Sequence, residues 1–174
     1  MKQFISLLII ALVTLSSCLG KVEQVSSGKD IVQLGQQLPL FTVTLNDHTT
    51  LNTAQLQGRP SVIVFFNTLC SDCRRELPIV QRVYDQYGQR VQFLCISRAQ
   101  TDDEVSIFWQ KNALTMPYSA QSDKSVYELF ATSTIPRIYV SDASGMVCRY
   151  FVERMSQSEL TEVLYSLLNK YSYK

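Results

Sequence analysis

The chain has 174 residues, of which 46% are hydrophobic and 18% charged, enough to bury a core in one domain and too apolar for a disordered chain. A formal net charge of +1 leaves no basic footprint for nucleic acid or for an anionic membrane surface, and no nucleic-acid partner is expected. Five cysteines are too few for a disulfide scaffold at this length, so each has to be judged by its neighbours.

In chain order, Lys2 and the uncharged apolar run from Phe4 to Leu15 have the length of a signal h-region and fall short of a comfortable bilayer span. The run ends in Leu15-Ser16-Ser17-Cys18, which resembles the lipobox of bacterial lipoproteins. The resemblance implies that residues 1–17 are a cleaved signal peptide. Cys18 would then be acylated and hold the protein to a membrane through two or more lipid chains, where one would be marginal. Losing residues 1–17 takes away Lys2 and no acid, leaving 15 basic against 15 acidic side chains. Residues 18–37 are polar without a clear period and read as a tether, with the folded domain spanning 38–174.

Within that domain, Phe41, Val43 and Leu45 alternate with threonines, and Asn46-Asp47-His48 turns the chain toward Leu51, which predicts a short hairpin. Ser61 to Phe66 is a near-continuous apolar run, the pattern of a strand buried on both faces. Residues 71–87 carry Leu77, Val80, Val83, Tyr84 and Tyr87 at helical spacing, and Gly88 is read as a C-terminal helix stop. Val91 to Ser97 predicts a second buried strand, and Thr101-Asp102-Asp103-Glu104 a capped helix start. A shorter helix is expected over 124–131. Ile138–Val140 and Met146–Val152 flank a turn at Asp142–Gly145, and a last helix begins near Gln157. Strand–helix–strand order followed by a hairpin predicts an α/β fold: a mixed sheet between helices, preceded by an N-terminal β-hairpin.

The chemistry concentrates at Cys70-Ser71-Asp72-Cys73, where a buried strand gives way to a helix. A sulfur at a helix N-terminus faces unpaired N–H groups and the positive end of the dipole, which favour thiolate over thiol. The second sulfur lies about one turn on, within bonding reach of the first and less exposed. Cys70 is therefore read as the nucleophile and Cys73 as the resolving thiol. A zinc site needs two more ligands. The single histidine, His48, lies in a predicted turn, and no metal is expected. Cys95 belongs to a core strand. Two strands separate its strand from that of Cys148, about 14 Å at ~4.8 Å per spacing, which exceeds the ~7 Å a disulfide spans.

Residues 70–78, Cys-Ser-Asp-Cys-Arg-Arg-Glu-Leu-Pro, together with Thr134-Ile135-Pro136, resemble the thioredoxin superfamily and within it the TlpA/ResA-like extracytoplasmic branch. The resemblance covers about Leu38 to the C-terminus and implies a thioredoxin fold. It implies thiol–disulfide exchange on protein substrates with no cofactor beyond the Cys70–Cys73 disulfide, an upstream membrane electron donor, and a place on the extracytoplasmic side of the cell envelope. It also implies a cis Pro136 facing the cysteines, an Ile135 backbone that pairs with an extended substrate, and Glu76 as an acid that relays the proton of Cys73. Leu69, Ser71 and Asp72 would line the approach. Two departures stand out: Leu69 replaces an aromatic residue, and Val64 occupies the position of a buried aspartate.

Asp72 opposes a thiolate at Cys70 while Arg74 and Arg75 favour it, and a destabilised thiolate makes a better reductant. With the branch resemblance added, the direction expected is reduction of substrate disulfides. The rival activity on this fold, a peroxidase of the peroxiredoxin type, needs Pro and Thr seven and three residues before the nucleophile, where Ile63 and Asn67 stand. Copper delivery on the same fold usually adds a histidine beyond the second cysteine, and none follows Cys73.

Overall fold

The computed structural model describes residues 30–171. The signal segment 1–17, Cys18 and residues 18–29 lie outside the described residues.

A short antiparallel hairpin, β1 (Thr42–Thr44) with β2 (Thr50–Asn52), leads into a single 3-10 turn and then into β3 (Ser61–Phe66). All six residues of β3 are buried, because it is the central strand of five. It pairs in parallel with β4 (Gln92–Ser97) after the crossover helix α1 (Ser71–Tyr87). On its other side it pairs antiparallel with β6 (Arg137–Ser141). The outer strands are β5 (Tyr118–Ser119), parallel to β4, and β7 (Val147–Val152), antiparallel to β6, giving the order β5-β4-β3-β6-β7. Among the described residues three further helices follow: α2 (Asp102–Lys111), α3 (Ser125–Glu128) and α4 (Gln157–Tyr171). This is the thioredoxin-like architecture with its leading hairpin.

Side chains alternate across β3, so one sheet face receives Phe65, whose ring meets Tyr127, Phe130 and Tyr139, and the other receives Phe66 against Trp109 of α2. Each fully buried ring of this kind stabilises by about 1.5–3 kcal/mol relative to exposure. The start of α2 forms the expected capping box: Thr101 receives Glu104 N–H, and the Glu104 carboxylate receives Thr101 N–H.

Four differences from the sequence reading have physical causes. The fold is already packed at Asp30, eight residues before Leu38, so the 18–37 tether assignment is too long. Asp30 bridges Ala131, Ile31 and Val32 donate to Phe130 O at 3.0 Å, and Val32 is buried. One buried apolar residue and a few backbone bonds leave no periodicity to read. Gly88 is not left-handed (φ −57°). It is small because a Cβ there would meet the Tyr84 ring at 2.8 Å. The helix expected over 124–131 shrinks to Ser125–Glu128, and β5, only two residues long, carries no pattern.

Cys95 on β4 and Cys148 on β7 are separated by β3 and β6, so the two are not bonded to each other.

Candidate active site at the start of helix α1

The site grows from the turn between β3 and α1. Asn67 shapes it: its carbonyl accepts Cys70 N–H (3.1 Å), its side-chain oxygen accepts Leu69 N–H (2.9 Å), and its amide donates to Arg98 O (3.1 Å). From beneath, buried Gln100 clamps Thr68, accepting its N–H at 2.7 Å and donating to its hydroxyl at 2.6 Å. With the turn held at both ends, Leu69 is pushed outward and stands 81% exposed, while Cys70 is left half-buried at the helix start.

Cys70 is the N-cap of α1. Its Sγ receives Cys73 N–H at 3.5 Å and donates to Ile135 O at 3.6 Å. Cys73 faces inward and is wholly buried. Burial pushes its thiol far up; a backbone hydrogen bond from Asn67 and the charge of Arg98 pull the other way without cancelling it. Arg98 itself lies over the Tyr127 ring, 5.0 Å from its centre. The two sulfurs therefore differ as an exchanging pair requires: one accessible at an electropositive helix end, one kept as a protonated reserve behind it.

The peptide bond between Ile135 and Pro136 is cis, and its loop is the element that contacts Cys70. Ile135 and Pro136 are buried, with the Ile135 carbonyl on Cys70 Sγ, while of the residues flanking Cys70 along the chain Leu69 and Ser71 are exposed and Asp72 is half-buried. Arg75 is not free to act on Cys70. Its guanidinium pairs with Asp72 (2.6 Å) and Glu76 (2.9 Å) and donates to Glu153 O (3.1 Å), and these anions raise its affinity for its proton. Glu76 is 2% exposed, one turn beyond Cys73. Its second oxygen accepts Met155 N–H at 3.2 Å, beside a cavity of about 460 Å³ lined by Arg75, Ile79, Arg154 and Glu159.

Ile63 is fully buried in β3 and Asn67 is committed to the turn, so neither position offers the groups a peroxide pocket needs. Among the described residues, no group of three or more His, Cys, Asp or Glu is placed to hold a metal ion. Sequence reasoning missed Gln100, which touches the turn from 32 residues away, and Arg137, whose partner Asp30 is 107 residues away. For Arg137 there was one signal, a cation opening an apolar strand, but nothing to name its partner.

The family model of the AhpC/TSA family matches residues 34–150. A protein called thiol-disulfide oxidoreductase ResA from Bacillus thuringiensis (strain Al Hakam) is 22% identical over 133 residues, covering 76% of this chain and 77% of that one. A solution structure of a putative protein disulfide isomerase from Bacteroides thetaiotaomicron superposes with a TM-score of 0.78 at 20% identity, over 83% of this chain and 95% of that one. A secreted Mycobacterium tuberculosis disulfide oxidoreductase, described as homologous to E. coli DsbE, superposes with a TM-score of 0.66 at 24% identity, over 73% and 96%.

Proposed function

Because the chain belongs to the AhpC/TSA family, on its thioredoxin-like branch, we propose that it is a thiol–disulfide oxidoreductase working through Cys70 and Cys73. The observation that carries this reading is the asymmetry of the two sulfurs: Cys70 half-buried at the N-cap of α1, Cys73 wholly buried behind it.

The Cys70 thiolate attacks one sulfur of a substrate disulfide, forming a mixed disulfide and releasing the other as a thiolate that takes a proton from water. Cys73 then gives up its proton and attacks Cys70 Sγ. The second substrate sulfur leaves as a thiolate that takes up the proton released by Cys73, and a Cys70–Cys73 disulfide remains; two electrons have passed to the substrate, with one proton from water and one from Cys73. Glu76 is the proposed acceptor of the Cys73 proton, supported by its burial one turn along the same helix. The exposed side chain of Leu69, Ser71 and Asp72 at the helix start, and the Ile135 backbone form the surface offered to a polypeptide substrate. Turnover as a reductase requires a donor that returns the electrons, proposed to be membrane-bound. The proposed location is the extracytoplasmic side of a bacterial envelope, with Cys18 as the lipid attachment point. Support comes from the lipobox-like residues 15–18 and from a secreted structural relative.

With insulin as the disulfide probe, Cys70→Ser is expected to abolish turnover, and Cys73→Ser to trap a mixed disulfide visible by non-reducing electrophoresis. Unchanged turnover in both variants would sink the reading.

A further inference from the structure

Arg137 follows Pro136 directly and is wholly buried, an unusual place for a guanidinium. Its Nε donates to two successive carbonyls of the loop ahead of it, Ser133 O at 3.0 Å and Thr134 O at 3.1 Å. Nη1 pairs with the carboxylate of Asp30, which is 6% exposed and whose other oxygen accepts the Tyr150 hydroxyl at 3.2 Å. The Thr134 carbonyl accepts a second hydrogen bond, from the Tyr127 hydroxyl at 3.0 Å. Thr134 has φ +71°, a left-handed conformation that a β-branched residue keeps only where its surroundings hold it. The next carbonyl along, Ile135 O, is the one that receives Cys70 Sγ.

A fixed cation thus holds the back of the loop whose front faces the nucleophile. Arg137 touches neither sulfur. What it fixes is the direction of the Thr134–Ile135 backbone, and that backbone matters to a substrate with a main chain of its own. A small disulfide needs only the sulfur. A planar guanidinium with a rigid fork of donors suits the task of reaching two carbonyls and one carboxylate at once; an ammonium does not.

We propose that Arg137, oriented by Asp30, is a positioning residue that sets the Thr134–Ile135 backbone to pair with an extended polypeptide beside the substrate disulfide, and so gives the site its preference for polypeptides over small disulfides. The inference rests on the exchange reading above and adds the residues that select the substrate class.

The test compares insulin with bis(2-hydroxyethyl) disulfide on the full chain, with Arg137→Lys and Asp30→Asn as variants. Lysine keeps the charge opposite Asp30 and loses the fork; asparagine keeps an acceptor and loses the charge. Arg137→Lys is expected to raise KM for insulin about fivefold with kcat little changed, a loss of binding common to ground and transition state. Because Ile135 O also accepts Cys70 Sγ, the variant's turnover of the small disulfide is expected to fall too, but by clearly less than the loss on insulin. Asp30→Asn should shift in the same sense by less, and it carries the test if Arg137→Lys does not fold. Equal losses on both probes, an unmoved insulin KM in a folded variant, or failure of both variants to fold would each overturn the proposal and make the pair purely structural. An unaltered chain inactive on both probes would sink the exchange reading itself, a different and separately visible result.

Discussion

Cys73 and Cys95 hold their protons because burial penalises the thiolate, the first cause of the upward shift at both; at Cys73 the Asn67 backbone and the Arg98 charge offset only part of it. Linkage turns this into a pH dependence. In the unfolded chain a thiol ionises near ~8.5, whereas the folded chain keeps these two protonated well beyond that point. Their contribution to stability is therefore complete below ~8.5 and falls as pH rises, by up to about 1.4 kcal/mol per pH unit for each thiol. Urea titrations of the reduced protein from pH 7 to 10 should show this fall, and Cys95→Val should make it shallower. A flat profile to pH 10 would contradict the burial argument. At this scale the sequence made the cysteine pair legible, since spacing and the strand–helix boundary are local features. Gln100, Arg137 and Asp30 were not legible, because a buried polar group is explained by its partner, and here the partners come from remote parts of the chain.

At the scale of elements, the patterns that could be read were those fixed by burial on a regular repeat. All six residues of β3 are apolar or small because both faces of the strand are covered, and α1 shows its inward stripe from Cys73 to Val83. Connections were harder, and one of them bears on the mechanism. Glu76 joins α1 to the segment between β7 and α4 by accepting Met155 N–H, while Arg75 reaches Glu153 O in the same segment. A carboxylate in that position is either a proton acceptor or a strap between two elements, and the roles separate kinetically. As proposed acceptor, Glu76→Gln should slow resolution of the mixed disulfide by about a hundredfold and leave the first attack unchanged, as measured by rapid mixing. Loss of thermal stability with both steps intact would leave Glu76 as a strap only.

Across the whole molecule, the N-terminal stretch from Asp30 to Gln37 belongs to the fold: Gly35 donates to Val147 O at 2.8 Å, and Gln37 bridges Met146. Its sequence reads as a linker because its hold on the domain is one ion pair, a few backbone hydrogen bonds and Val32. Removing residues 1–37 would leave the Arg137 guanidinium buried without its carboxylate, which costs about 3–5 kcal/mol, a large part of the ~5–15 kcal/mol that holds an ordinary domain together. Urea titration is expected to show that loss relative to a chain lacking only residues 1–29. Equal midpoints would mean that the stretch merely rests on the domain.

The Asp30–Arg137 pair also defines a path for mechanical load. A pull arriving along the chain from the N-terminal side meets the described fold first at Asp30, where it divides between the backbone of Phe130 and Ala131 and the guanidinium, behind which stand the carbonyls of Ser133 and Thr134. A protein hauled by its leading end would bear part of that tension on the back of the loop that contacts Cys70, so traction and reactivity would be felt at one place.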